Sequence, residues 1–140
     1  MGRGWRWAGL GWLLSLAGVA LPWTDNRISG HVWLVERDLG VVALYAGGLG
    51  ALALAVVMII LRASRIAVVL PAAVGLLTMI ITVLVTPRGD TIFDGADSTG
   101  RPFGGSEPTG WSFGPASALL GAVVVLVVGI GYARSMGRRG

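Results

Sequence analysis

The sequence predicts an all-α membrane protein, a single domain over residues 1–140 in which four transmembrane helices form a bundle. Three observations indicate this class. First, 54% of the residues are hydrophobic and only 13% are charged, whereas a soluble domain carries about 25% charged residues. Second, four stretches without acidic, basic or histidine residues approach the roughly 20 apolar residues that a membrane-spanning helix needs. Third, the arginines concentrate in alternate segments between these stretches.

The four spans follow from the uncharged stretches. Backbone polar groups in lipid must be satisfied within their own segment, so each stretch is predicted to be a helix. The predicted spans are Trp7–Trp23, Gly40–Leu61, Ile66–Thr86 and Phe113–Ala133.

Two longer connections, Thr24–Leu39 and Pro87–Ser112, are predicted to be outer loops. Loops longer than about 15 residues are uncommon unless they are functional or disordered. In the first loop, His31–Val35 is interpreted as a strand or an interfacial segment. In the second loop, Ile92-Phe93 and Pro102-Phe103 are short strands or apolar anchors, and Asp94-Gly95 is a turn signal. We expect the two loops to form a small cap together.

Charge placement predicts the orientation of the bundle. All seven acidic residues lie in the two outer loops. Segments rich in arginine stay on the cytoplasmic side of a membrane. We therefore expect a multi-pass protein of the cell (plasma) membrane with both termini in the cytoplasm and both long loops outside. The arginines that carry this prediction are Arg3, Arg6, Arg62, Arg65, Arg134, Arg138 and Arg139.

Aromatic residues mark the two predicted membrane boundaries. Tryptophan and tyrosine favour the headgroup depth because their rings are amphipathic. Trp12 falls well inside span one, where contact with another helix is the better explanation. The predicted interface belt comprises Trp5, Trp7, Trp23, Trp33, Trp111 and Tyr132.

Span one has a second interpretation. Its arginine-bearing tip, its short apolar run and the small residues Gly18 and Ala20 are also typical of a signal peptide cleaved after Ala20. Several tryptophans are unusual in such a segment, and Leu21-Pro22 is a poor start for a mature chain. Both interpretations leave the later spans with the same orientation.

Small residues at four-residue spacing predict close helix packing in spans two and four. Such stripes let helix backbones approach each other closely within lipid. The partner of these stripes is left open by the sequence: another span, a second copy of the chain, or a different protein. The predicted packing residues are Ala43, Gly47, Ala51 and Ala55 in span two, and Gly114, Ala118 and Ala122 in span four.

Span three combines a proline with three aligned threonines. Pro71 predicts a kink, because its ring removes a backbone hydrogen bond. Thr78, Thr82 and Thr86 form either a polar seam toward the bundle or a set of hydroxyls that bond to carbonyls of the preceding turn. The second interpretation is favoured, since it is the usual behaviour of threonine within helices. Pro115 suits the first turn of span four.

Several function classes are excluded by what the chain lacks. It contains no cysteine, so disulfide frameworks and thiolate metal sites are excluded. Charged residues within spans are the usual mark of an ion pathway or proton relay. The four predicted spans contain none. His31 is the only histidine, and no nucleophile is paired with a base. We expect no catalysis, no cofactor, no metal and no nucleic-acid partner.

The remaining leading hypothesis is a non-catalytic membrane protein that acts by helix–helix and outer-loop contacts, as an accessory or assembly subunit of an envelope complex. Its partners would be membrane lipid and another membrane protein or a second copy of itself. The alternative hypothesis is an oligomeric passive pore or a lipid-handling protein with a threonine-lined path.

The layout of the chain also resembles a known group. Leu21-Pro22-Trp23 closes span one, a short arginine-bearing turn joins spans two and three, and the segment 110–115 leads into span four. In these features the chain resembles small actinobacterial four-span membrane proteins of the tryptophan-biosynthesis-associated type. That resemblance implies a four-span membrane bundle and no particular activity.

Overall fold

The computed structural model describes residues 3–26, 30–34, 39–86, 91–96, 100, 102–107 and 110–138. Three helices, α2, α3 and α4, are long and apolar enough to cross a membrane. Their starts and ends agree with predicted spans two, three and four to within one residue, except that α4 continues one turn beyond Ala133. The helices of the described chain are α1 (Gly4–Ala17), α2 (Leu39–Ile60), α3 (Arg65–Val85) and α4 (Phe113–Gly137).

The first helix is shorter than predicted, because α1 ends at Ala17 rather than at Trp23. After Ala17, the amides of residues 18–20 bond to carbonyls three residues back, which tightens the last turn. Pro22 then begins a strand. The 14 residues of α1 reach about 21 Å at 1.5 Å per residue, short of the roughly 30 Å hydrocarbon core. Helix α1 is thus not among the helices long enough to cross a membrane.

The four helices pack in a closed ring. Helix α1 packs on α4, α4 on α3, α3 on α2, and α2 returns to α1. Only residues 61–64 separate α2 from α3, so these two helices form an antiparallel hairpin. Large apolar side chains such as Leu84 and Val127 cover the outward faces. The core centres on Trp23, Leu34, Tyr45, Leu52, Ala72, Met79, Ala118, Ala122 and Val125.

Short strands occupy the two long connections, in addition to the helices expected of an all-α class. One sheet has the order β2-β1-β5, and a second sheet pairs β3 with β4. Because β1 comes from the first connection and β5 from the second, the two connections form a joint cap, as predicted. The strands are β1 (Pro22–Asn26), β2 (Gly30–Trp33), β3 (Thr91–Ala96), β4 (Pro102–Glu107) and β5 (Gly110–Trp111).

The turn predicted at Asp94-Gly95 is wrong. Both residues lie within β3, where Asp94 pairs with Gly104 and Gly95 pairs with Phe103. An Asp-Gly pair favours a tight turn only where the chain reverses. Here the antiparallel pairing with β4 continues as far as Ala96 and Pro102, so the reversal falls later in the chain.

The threonines of α3 behave as the favoured interpretation predicts. The hydroxyl of Thr78 donates to the carbonyl of Val74 at 2.7 Å. Those of Thr82 and Thr86 donate to the carbonyls four residues earlier, at 2.8 and 2.6 Å. Pro71 lies inside α3, and the kink there stays a prediction. Pro115 lies in the first turn of α4.

Candidate helix-packing surfaces

The closest contact in the bundle joins α1 to α4. A Cβ atom added to Gly11 would lie 2.9 Å from the carbonyl oxygen of Gly121, so the two helix backbones touch. Two serines hydrogen-bond across the same contact. The hydroxyl of Ser15 donates to the carbonyl of Ala118 at 2.9 Å, and that of Ser117 donates to the carbonyl of Leu14 at 2.6 Å.

The predicted packing residues of span four lie on this contact face or beside it. Gly114, Ala118 and Ala122 are all buried. A Cβ on Gly114 would lie 3.0 Å from the carbonyl of Pro22 and would collide with the indole ring of Trp23. Span four therefore uses its small residues toward α1 and the segment that follows it.

Trp23, a member of the predicted belt, is fully buried in the protein, so its ring is covered by the chain itself rather than exposed as a belt residue would be. Its indole Nε1 donates to the carbonyl of Gly18 at 2.8 Å, and its ring meets that of Tyr45 edge-on, with centroids 5.4 Å apart. The hydroxyl of Tyr45 donates to the carbonyl of Ser15. Because α1 ends at Ala17, the chain folds back after the helix and places Trp23 in the core of the bundle.

Two glycines that the sequence did not single out build the contact between α2 and α3. A Cβ on Gly48 would lie 3.2 Å from the Cε methyl carbon of Met79. One on Gly75 would lie 2.6 Å from a methyl carbon of Leu52. Gly48 follows Ala46 and Gly47, and Gly75 lies between Val74 and Leu76, so the sequence does not set either glycine apart; their burial in the structure does.

The predicted stripe of span two divides between inside and outside. Ala43 and Gly47 are exposed, Ala51 is half-buried, and Ala55 is buried. A step of four residues advances about 40° beyond one full helical turn, so over twelve residues the stripe winds from the outer surface into the bundle. The exposed small residues at its start belong to what we call the outer face of α2, namely Ala43, Ala46, Gly47 and Gly50.

The other aromatic residues of the predicted belt have varied surroundings. Trp5, Trp7 and Trp111 are exposed, and the side chain of Trp33 lies outside the described residues. Tyr132 is half-buried and its hydroxyl donates to the carbonyl of Ala63 at 2.8 Å.

The contact predicted for Trp12 is confirmed. Its indole Nε1 donates to the backbone carbonyl of Leu49 at 3.0 Å. Trp12 belongs to α1 and Leu49 to α2, so this hydrogen bond ties the first helix to the second. Leu49 precedes Gly50 in the chain, so α1 contacts α2 beside its outer face.

The described arginines gather at one end of the bundle, which we call the arginine end. Gly4 at the start of α1 lies near Val128 in the second half of α4, and Tyr132 reaches the link between α2 and α3. The start of α1, this link and the end of α4 are therefore neighbours. The arginines here are Arg3, Arg6, Arg62, Arg65, Arg134 and Arg138, and Arg139 lies outside the described residues.

Within the described residues, the small and polar side chains thus build packing surfaces: the α1–α4 and α2–α3 contacts inside the bundle and the outer face of α2. The described residues also contain no group of three or more His, Asp or Glu placed to hold a metal ion. The resemblance to the tryptophan-biosynthesis-associated type stays a prediction, since no family model, no curated protein sequence and no solved structure matches the chain.

Proposed function

We propose that the chain is a non-catalytic integral membrane protein that acts by contact with another membrane protein, as an accessory or assembly subunit of an envelope complex. The outer face of α2 is the proposed contact surface. The observation that carries this proposal is that Gly47 and Gly50 are exposed glycines within a membrane-length helix. No neighbour among the residues that the structure describes lies within 4 Å of a Cβ added to either glycine, so none of them explains the small size.

The contrast with the internal glycines supports this reading. A Cβ on Gly11, Gly48 or Gly75 would press on an adjacent helix, whereas a Cβ on Gly47 or Gly50 would meet nothing within 4 Å. Glycine in a helix interior costs about 1 kcal/mol relative to alanine. In lipid, small residues on a helix face serve the close approach of a second helix.

Two other glycines of the described helices are open but do not stand on a face of small residues. Gly9 and Gly131 also have nothing within 4 Å of an added Cβ. Their exposed neighbours on the same helix are large, such as Leu13 beside Gly9 and Val127 beside Gly131. A bulky neighbour keeps another backbone away. Gly47, by contrast, has the small residues Ala43 and Gly50 as its exposed neighbours one turn away, and Leu54 ends this face beyond Gly50.

We further propose that the protein lies in the cell membrane with both termini in the cytoplasm and the β-strand cap outside. The arginine end supports this orientation by the positive-inside rule. The acidic outer connections would offer a second contact surface to a partner, outside the membrane. Catalysis forms no part of this proposal.

The test is affinity purification of the full chain in mild detergent, with Gly47→Leu compared with Gly131→Leu. Both changes place the same side chain on an exposed glycine with no neighbour within 4 Å. We expect a stoichiometric partner to co-purify with the wild type and with Gly131→Leu but to be lost from Gly47→Leu. Equal retention by both variants would contradict the proposed surface.

The same purification addresses the alternative of a passive pore or lipid-handling protein. Recovery of a homo-oligomer with measurable conductance or lipid transfer would favour that alternative over the subunit proposal. The threonines give it little support, because each of the three hydroxyl donors is already used by a carbonyl of its own helix.

A further inference from the structure

Four arginines from two distant parts of the sequence meet at the arginine end. Arg62 and Arg65 flank the link between α2 and α3, and Arg134 and Arg138 lie at the end of α4. Two contacts bring these segments together. The Tyr132 hydroxyl donates to the carbonyl of Ala63. The Nη2 atom of Arg65 lies 3.2 Å from the point that a Cβ of Gly137 would occupy.

The position of Arg65 is set by the end of α4. Its guanidinium lies against Gly137, the last residue of that helix, where the helix dipole favours a cation. Glycine at this position leaves room for the guanidinium. Arg138 follows directly along the chain and is exposed at the same end of α4.

No acidic side chain compensates this charge in the segments concerned. Residues 61–66 and 131–140 contain no aspartate or glutamate. Among the residues that the structure describes, no ion pair joins any of the four arginines to an acidic side chain. A surface with concentrated positive charge attracts anions, and it does so most strongly beside a medium of low dielectric constant.

An apolar groove begins at Arg65. It has a volume of about 400 Å³ and is lined by Arg65, Ile66, Val69, Leu70 and Ala73. From Arg65 to Ala73 the groove follows α3 for about 12 Å at 1.5 Å per residue, away from the arginine end and toward the middle of the bundle. The surface that lines the groove is apolar, so Arg65 contributes its aliphatic stem, and its guanidinium lies at the end of the groove, against Gly137.

We propose that this groove is a binding site for an anionic phospholipid, whose phosphate binds Arg65 together with Arg62 while one acyl chain lies along Val69 and Ala73. The guanidinium of Arg65 at the end of the groove matches the phosphate, and the apolar groove matches the acyl chain. A free phosphate ion would satisfy the arginine and leave the apolar walls uncovered. Arginines near the cytoplasmic surface of a membrane attract anionic lipid headgroups. The inference does not depend on the outer face of α2.

The test measures lipid binding to the purified full chain in neutral detergent by native mass spectrometry. Phosphatidylglycerol is compared with phosphatidylcholine of the same acyl chains. We expect phosphatidylglycerol to bind more tightly, and Arg65→Gln to weaken it about fivefold, with about 25-fold for Arg62→Gln combined with Arg65→Gln. Phosphatidylcholine should bind all these proteins equally weakly.

A matched pair of variants tests the groove itself. Ala73→Phe fills the groove, whereas Val74→Phe adds the same ring to an exposed position on α3 that does not line it. We expect Ala73→Phe to weaken phosphatidylglycerol binding at least fivefold and Val74→Phe to leave it unchanged. Circular dichroism and gel filtration establish that each variant is folded.

Three results would overturn the proposal. Equal affinity for the two lipids would show that the site does not recognise the charge of the headgroup. Equal binding of phosphatidylglycerol by Ala73→Phe and the wild type would show that the lipid does not occupy the groove. Displacement of phosphatidylglycerol by inorganic phosphate at similar concentration would make the site one for the free anion rather than for the lipid.

Discussion

Gly11 and Gly121 hold α1 and α4 in direct backbone contact, because a Cβ on Gly11 would lie 2.9 Å from the carbonyl oxygen of Gly121. The reciprocal Cβ on Gly121 would collide with the carbonyl of Gly11. Ser15 and Ser117 donate hydrogen bonds across the same contact. Interhelical hydrogen bonds in membranes contribute about 0.6 kcal/mol on average, so close packing accounts for much of the attachment of α1.

The contact predicts that Gly121→Ala and Gly131→Ala have opposite effects on stability. The added methyl group at Gly121 meets backbone atoms that cannot move aside, and we expect a loss of about 1–3 kcal/mol. At Gly131 the methyl group meets nothing within 4 Å, and the higher helix propensity of alanine predicts a gain of up to about 1 kcal/mol. Reversible unfolding in detergent measures both. Equal stability of the two variants would contradict the backbone contact.

The packing of α1 predicts that residues 1–20 remain in the mature protein. Under the second interpretation of span one, cleavage after Ala20 would remove the carbonyl of Gly18, which accepts the hydrogen bond from Trp23. It would also remove the carbonyl of Ser15, which accepts from Tyr45. We expect the intact mass of the protein purified from membranes to include this segment. A mass that matches a chain beginning at Leu21 would show that α1 belongs to a cleaved leader.

The orientation is testable with single cysteines, because the chain has none of its own. Gly110→Cys lies in β5 at an exposed position, and Ser135→Cys lies near the end of α4. We expect a membrane-impermeant thiol reagent to label Gly110→Cys in intact cells and Ser135→Cys only after lysis. The reversed pattern would place the arginine end outside.

Helices α2, α3 and α4 were predictable because length and hydropathy alone define them. An uncharged stretch of about 20 residues has few alternatives to a helix in lipid. The hairpin of α2 and α3 was also predictable, because a link as short as residues 61–64 allows only an antiparallel arrangement of the two helices. The behaviour of Thr78 was predictable for a similar reason, because its hydrogen bond is local.

The end of span one was not predictable from hydropathy. Residues 18–23 are as apolar as the helix before them, and Trp23 suits both a membrane boundary and a protein core. An indole N–H needs one acceptor, which a lipid headgroup or the carbonyl of Gly18 provides equally well. Only the folded chain shows that the carbonyl of Gly18 is the partner.

The packing glycine of span two could not be identified because Gly47 and Gly48 are adjacent. Successive helical residues point about 100° apart, so only one of them faces α3. The four-residue spacing selected Gly47, which is exposed, and passed over Gly48, which is buried. Spacing describes the helix surface but not its rotation about its own axis, and that rotation depends on the neighbouring helices.

The attachment of α1 to α4 has a consequence for biosynthesis. Strand β1 also pairs with β5, and the amide of Ser112 donates to the carbonyl of Trp23 at 3.0 Å. The first helix to leave the ribosome therefore finds its main partner only after the last one has been made. Contacts between segments so distant in sequence form late. Until α4 has been made, the hydroxyl of Ser15 lacks its acceptor at Ala118, and α1 is attached to the nascent chain through its contacts with α2, such as the hydrogen bond from Trp12 to Leu49.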